Sequence, residues 1–320
     1  MDRVPLGRTG LEVSVAGLGC GGNSRLGLGR GASLDEAADL VRAAIDLGVN
    51  IVDTAEAYGT EAVIARALEG RPRDSLVISS KSRIREGAEL FDGARLNANL
   101  EASLKRLKTD HIDVYHLHAV APGAYAHVRE HLLPVLLRAK ETGKIRHLGI
   151  TETAPNDPGR RMLAGAVHDP EWEVAMLAFH MLNQRAREDV FPGTMANSIG
   201  TLLMFVVRNI FSDADLLART VRELIAEGRL DANGVDIADP LGFLIHADGA
   251  RSLTDAAYRF ARHEPGSDVV LFGTGSRAHL EDNIASILAP PLPAADRERL
   301  AALFGRLEGV GLDLPDRLRR

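Results

Sequence analysis

The feature that most constrains this chain is a set of short apolar runs that alternate with segments of helical spacing. The runs are Val15–Cys20, Asn50–Thr54, Leu76–Lys81, Ile112–His118, Ile145–Thr151, Val174–Phe179, Leu202–Val207 and Asp268–Thr274. They are continuously apolar in their centres rather than alternating, as strands buried on both faces are. Between them, apolar residues recur at helical intervals through Leu34–Leu47, Glu61–Leu68, Asn97–Leu107 and Val128–Lys140. Strand, helix, strand, helix implies a parallel sheet covered by helices. No linker or break in composition divides the chain, so the expected architecture is one α/β domain over residues 1–320, a (β/α)8 TIM barrel. Two pieces fall outside the repeat. Val4 to Val15, with Gly10 at a turn position, predicts an N-terminal β-hairpin. Asn209 to Gly266, with Pro240 and Pro265 near turns, predicts extra helices before the last strand.

An open doubly wound sheet also alternates strands and helices, and it predicts a glycine-rich turn running straight into a helix. Gly17-Leu18-Gly19-Cys20-Gly21-Gly22 is rich in glycine, but Asn23 to Ser33 adds more glycine and charge before any helical pattern starts. The segment therefore reads as a tight loop at a barrel mouth.

Composition narrows the class of function. Acids and bases are interspersed, the net charge is −6, and no basic stripe exists to displace counterions, so nucleic acid is not expected as a partner. The single cysteine, Cys20, excludes an internal disulfide and suits a reducing compartment. The opening residues carry glycine and charge where a secretory signal needs an apolar core. Leu202–Val207, the longest strongly apolar run, is far short of the roughly 20 residues that cross a bilayer. A cytoplasmic protein with no membrane association is expected.

In α/β barrels the chemistry sits at the C-terminal ends of the strands. Here the second, third and fourth strands end in Ile51-Val52-Asp53-Thr54-Ala55-Glu56-Ala57-Tyr58-Gly59, Val77-Ile78-Ser79-Ser80-Lys81 and Val114-Tyr115-His116-Leu117-His118. Each ionisable group alone fits a structural role. Together they place an acid, a phenol, an ammonium and an imidazole on neighbouring strand ends, where a buried amine and carboxylate are tolerated only as a pair. A lysine near a phenol favours the phenolate. A phenol and an imidazole aimed at one oxygen suit carbonyl reduction, in which hydride arriving at carbon leaves negative charge on that oxygen.

The stretches "DTAEAYG", "VISSK" and "IDVYHLH" resemble, in order, the tetrad motifs of the aldo-keto reductase family. The resemblance runs from "PLGRTGLEVSVAGLGCGG" to "LFGTGSRAHLEDNIAS". It implies a soluble oxidoreductase that passes hydride between a nicotinamide cofactor and a small carbonyl or alcohol, with Asp53, Tyr58, Lys81 and His118 as the catalytic tetrad. It also implies cofactor contacts at Gly19, Cys20, Gly21 and Asp53, and at Gly273, Thr274, Ser276, Arg277, His279 and Asn283 for the adenosine end. An arginine at a helix start suits a 2′-phosphate, so NADP(H) is expected ahead of NAD(H).

The resemblance loosens where the family grips the nicotinamide amide. Thr151 and Glu152 stand where a Ser-Asn pair is usual, and Met176 where glutamine is usual. In "LLMFVVRN", Phe205 is the expected ring-stacking aromatic, and Arg208 lies within reach of phosphate. The loops expected to shape the substrate are Asn23–Ser33, with Arg25 and Arg30, together with Ala119–Ala126 and Asn209–Asp215, and the expected substrates are sugars, small aldehydes or ketones. Two rival readings remain. The pair His116 and His118 shares one strand face, as metal ligands in hydrolase barrels do. The altered amide grip also fits a regulatory barrel that senses cofactor with little turnover.

Overall fold

A computed structural model describes residues 1–312. The chain opens with an antiparallel hairpin, β1 (Arg3–Pro5) and β2 (Glu12–Ser14), in which Val4 faces Val13. Eight parallel strands then close on themselves: β3 (Ala16–Gly19), β4 (Ile51–Asp53), β5 (Val77–Arg83), β8 (Ile112–Val120), β9 (Ile145–Glu152), β10 (Val174–Ala178), β11 (Gly200–Met204) and β12 (Val269–Phe272), which pairs back onto β3. The remaining pair, β6 (Arg85–Glu86) and β7 (Glu89–Leu90), forms a small ribbon beyond β5 that the sequence did not announce. The expected (β/α)8 barrel, N-terminal hairpin and extra helices before the last strand are all present.

The core has two layers. Inside the barrel, Ile51, Val114, Val174, Met176, Leu202 and Val269 pack with Leu6 and Val13 from the hairpin, which thereby plugs the N-terminal end. Outside, the opposite faces of the strands meet the helices in one continuous apolar cluster. This double burial is why the strand sequences do not alternate. Helix starts are set locally. Ser33 forms a capping box with Glu36 at Leu34–Asp46, and Asp92, Asp213, Ser252 and Ser276 cap later helices by accepting a backbone N–H.

Some expected boundaries shift. The segment expected from Val128 starts in a π-helical turn, Val128–Leu132, before the α-helix Leu133–Glu141. The seventh barrel strand begins at Gly200, two residues before the apolar run, and ends at Met204. Phe205 therefore lies beyond the strand, in left-handed backbone at φ 62°. The crossover before β12 carries the helices Ala214–Ala226 and Leu253–Arg262. No helix among the described residues is long and apolar enough to cross a membrane.

Candidate active site

The acid and base groups come from three adjacent strands. Asp53 ends β4 opposite Ser79 of β5, so Lys81, two residues on, shares that face. Lys81 Nζ donates to Asp53 Oδ1 at 2.7 Å, to Asp53 Oδ2 at 2.6 Å and to the Thr54 carbonyl at 2.8 Å. Ser79 Oγ adds a bond to Asp53 Oδ1 at 2.8 Å. The pair is almost fully enclosed, with Lys81 at 0% and Asp53 at 4% exposure. Such burial is sustainable because all three ammonium protons have acceptors. Burial opposes the charge on Lys81, but the Asp53 carboxylate, and after it Tyr58, outweigh burial and hold the ammonium above its ordinary pKa.

Tyr58 ends a 3-10 turn, Glu56–Tyr58, that follows β4 directly. Its ring centre lies 5.1 Å from Lys81 Nζ, and its hydroxyl lies 3.4 Å from His118 Nε2. Gly21 is required beside it, since a Cβ there would sit 2.7 Å from Tyr58 Cε2. Burial, then Lys81 and Arg83, push the His118 pKa down to about 3, so the imidazole is neutral and one ring nitrogen carries a hydrogen it can donate. His116, on the same face of β8, is buried, and burial, then Lys81 and His118, also hold it neutral. Gly149 makes room for it, because a Cβ there would lie 2.2 Å from His116 Nδ1. Among the described residues no three His, Cys, Asp or Glu side chains are grouped to hold a metal ion, so His116 and His118 find no third ligand.

A cavity of about 940 Å³ joins these groups to the ends of β9 to β12 and to the helix Arg277–Leu288. Tyr58, His118 and Asp53 line one part of it. Gly19, Gly21, Thr151, Glu152, Met176, Phe205, Arg208, Gly273, His279 and Asn283 line the rest. Thr151 Oγ1 accepts from the Ala119 N–H at 2.7 Å. The Arg208 guanidinium lies 4.5 Å from the centre of the Phe205 ring.

Four expected contacts are not on the cavity wall. Cys20 is buried beneath the Asp53–Lys81 pair, its N–H bonded to the Asp53 carbonyl at 2.8 Å, and burial raises its thiol pKa. Thr274 is buried and its hydroxyl is used by the turn, donating to the Ser276 carbonyl and accepting from the Ser276 N–H. Ser276 caps the helix by accepting from the His279 N–H at 3.3 Å. Arg277, 70% exposed, turns to Glu281 at 3.1 Å on the outer face. Arg277 stands in line with the buried Leu280, Ile284 and Ile287, so its exposure at the first position of the helix is not one that periodicity announces.

Other wall residues had no local signature. Arg251, Asp255 and Tyr258 arrive with the helix Leu253–Arg262, and Arg251 Nη2 bonds both Asp255 Oδ1 at 2.7 Å and Ser286 Oγ at 3.2 Å, tying that helix to its neighbour. Glu152 also turned out to be more than a replaced amide. It is 2% exposed, its Oε1 accepts from the Ala178 N–H at 2.7 Å, and its Oε2 has no hydrogen-bond partner. The buried guanidinium of Arg160 lies 3.5 Å from that oxygen. Burial raises the Glu152 pKa to about 7, against the pull of Arg160 and the Ala178 N–H.

A family model described as aldo/keto reductase family matches residues 17–304. L-galactose dehydrogenase of Arabidopsis thaliana is 35% identical over 153 residues, which is 46% of this chain and 47% of that protein, so this match spans about half of the relative. An aldo-keto reductase of Bacillus halodurans superposes with a TM-score of 0.70 at 22% identity, covering 95% of this chain and 96% of that one. An aldo-keto reductase of Klebsiella pneumoniae, solved in complex with NADPH, superposes with a TM-score of 0.68 at 19% identity, covering 98% of this chain and all of that one.

Proposed function

The chain belongs to the aldo/keto reductase family, a family of NAD(P)H-dependent carbonyl oxidoreductases, and from that premise we propose that it interconverts a small carbonyl and its alcohol with NADP(H), Tyr58 serving as general acid and base. The observation that carries this reading is the Lys81 ammonium, held by both oxygens of Asp53 and 5.1 Å from the Tyr58 ring, with the Tyr58 hydroxyl 3.4 Å from a neutral His118.

In the reducing direction Tyr58 gives its proton to the substrate oxygen, and His118 donates an N–H to the same oxygen as negative charge builds there. Lys81 stabilises the phenolate left behind, and Asp53 keeps Lys81 charged and in place. In oxidation Tyr58 begins as the phenolate and takes the proton back. The bound nicotinamide supplies or accepts the hydride. The wall fits such a cofactor: Met176 and Phe205 offer apolar surface for the ring, Thr151 and Glu152 suit its amide, and Arg208 suits phosphate. Gly273 before the helix Arg277–Leu288, His279 in its first turn and Asn283 along it would hold the adenosine end.

NADP(H) is placed ahead of NAD(H) because Arg208 and Arg251 both line the cavity and because the Klebsiella pneumoniae relative takes NADPH. The likeness to L-galactose dehydrogenase favours sugars among the candidate carbonyl and alcohol substrates. One domain carries the whole reaction, in the cytoplasm.

Fluorescence titration with NADPH and NADH, followed by addition of aldehydes and sugars, tests the reading. Tighter binding of NADPH with substrate-dependent oxidation is the expected result. Binding with no turnover would favour the sensor, the reading for which Met176 speaks, and absence of binding to either cofactor would overturn both.

A further inference from the structure

Tyr58 reaches the cavity from a turn that leaves β4 at Thr54 and returns to the helix Glu61–Ala67 at Thr60. Thr54 is fixed on the barrel side twice: its N–H donates to the Ser79 carbonyl at 2.8 Å, and its carbonyl accepts from Lys81 Nζ at 2.8 Å. Thr60 stands at the other end, immediately before the helix. A threonine in that place ordinarily turns its hydroxyl to a free N–H of the first helical turn. Thr60 makes no such cap bond, and its Oγ1 lies 2.8 Å from Thr54 Oγ1 instead. Both threonines are fully buried, and neither lines the cavity. A helix start has thus given up its cap so that two hydroxyls can clasp the base of the turn that carries Tyr58.

We propose that Thr54 and Thr60 are positioning residues for the proton transfer, their hydroxyl pair holding the turn so that the Tyr58 phenol keeps its place beside the Lys81 ammonium. This rests on the reading of Tyr58 as general acid and base. Thr54 is the point at which the two partners are joined: its carbonyl holds Lys81, its side chain holds the far end of the Tyr58 turn, and the ring centre stands 5.1 Å from Nζ. The attraction between an ammonium and a phenolate falls with their separation, and it is largest where water is excluded. A second tie, from the Arg83 N–H to Glu56 Oε1 at 2.9 Å, holds the near half of the turn, but that contact is exposed, whereas the clasp is enclosed. The ionisable groups around Tyr58 are Lys81 on β5 with Asp53 of β4 behind it, the neutral His118 on β8, and Arg25 of the loop after β3, whose Nη2 would lie 3.2 Å from a Cβ at Gly59. Loss of the clasp alters none of these charges, so a change in the titration of Tyr58 would report its position.

The test is the double variant Thr54→Val with Thr60→Val, which removes both hydroxyls at nearly constant shape and leaves neither buried without its partner. Its kcat should fall by roughly tenfold to hundredfold, the scale of a displacement of about 1 Å, while the NADPH dissociation constant stays at the native value. In the oxidising direction, where Tyr58 begins as the phenolate, the pH at which kcat/KM rises should move up by roughly half a unit to one unit as the phenol loses part of the ammonium's pull. Thr60→Ser keeps a hydroxyl and should restore the native profile. Should the double variant fail to fold, Thr60→Val set against Thr60→Ser carries the same two measurements. A native rate and profile without the clasp would overturn the proposal, and so would a slower variant whose profile is unmoved, since the clasp would then be a stabilising contact alone. Tyr58→Phe measured alongside separates the two levels: were it as fast as the native protein, the reading of Tyr58 would fall and the proposal with it.

Discussion

The two ends of the cavity are built to different tolerances. At the Tyr58 end every polar atom of the Asp53–Lys81 pair is spoken for, the groups come from three successive strands, and the residues match the family motifs without substitution. Along β9 to β12 the wall carries Glu152 and Met176 where the family usually has neutral amide-binding side chains, and Arg277 turns to Glu281 on the outer face. Proton transfer needs particular pKa values at particular distances, whereas holding a large ligand spreads the work over many contacts that replace one another. The first end should therefore fail abruptly on substitution and the second by degrees.

The largest effect should come from Tyr58→Phe. Removing the proton donor should lower kcat by roughly a hundredfold to ten-thousandfold and leave the NADPH dissociation constant nearly unchanged. Steady-state rates alongside a binding titration check both halves, and near-native turnover would end the role given to Tyr58.

Lys81→Met should come next, through stability as well as rate. It strands the Asp53 carboxylate in a site that excludes water, at a cost of about 3–5 kcal/mol. Adding Asp53→Asn removes the stranded charge, so the double variant should regain much of the urea midpoint while remaining inactive. A double variant no more stable than Lys81→Met would mean that the pair is not what ties β4 to β5.

These contrasts follow how visible each end was in the sequence. The strands were legible because burial on both faces left continuous apolar runs, and the tetrad because its residues stand at strand ends in order. Phe205 illustrates the limit. The apolar run continues through Val206, which is buried beyond the strand, so hydrophobicity could not mark the end of β11 at Met204. The Asp53–Lys81 bond was inferable from chemistry, since neither charge can be buried alone. Arg251 and Arg160 were not inferable, because their places depend on how the helix Leu253–Arg262 and the excursion after β9 dock against residues distant in sequence.

Glu152 offers a third, smaller test. The folded protein keeps its proton up to about pH 7, whereas the unfolded chain releases it near the ordinary glutamate value. Between those limits the folded state binds more protons, so this residue's contribution to stability falls as pH rises. Glu152→Gln should remove that dependence, and without cofactor the native protein should lose up to about 3 kcal/mol relative to the variant between pH 5 and pH 8. Parallel stability curves for the two proteins would show that Glu152 is already ionised at pH 5.

The smallest effect is expected at Arg277, and it discriminates between the helix start as a surface and as a wall. If adenosine recognition came from any cation near this N-terminus, Arg277→Ala would weaken NADPH far more than NADH. The side chain instead lies on the outer face with Glu281, four residues along, and an exposed pair of this kind contributes little, so affinity for either cofactor should change by less than about threefold. His279→Ala removes a side chain that does line the cavity and should cost NADPH binding roughly tenfold, the scale of one hydrogen bond. Were Arg277→Ala the more damaging of the two, and damaging to NADPH alone, the helix would have to rotate on binding, and the tolerant end of the cavity would be a moving one.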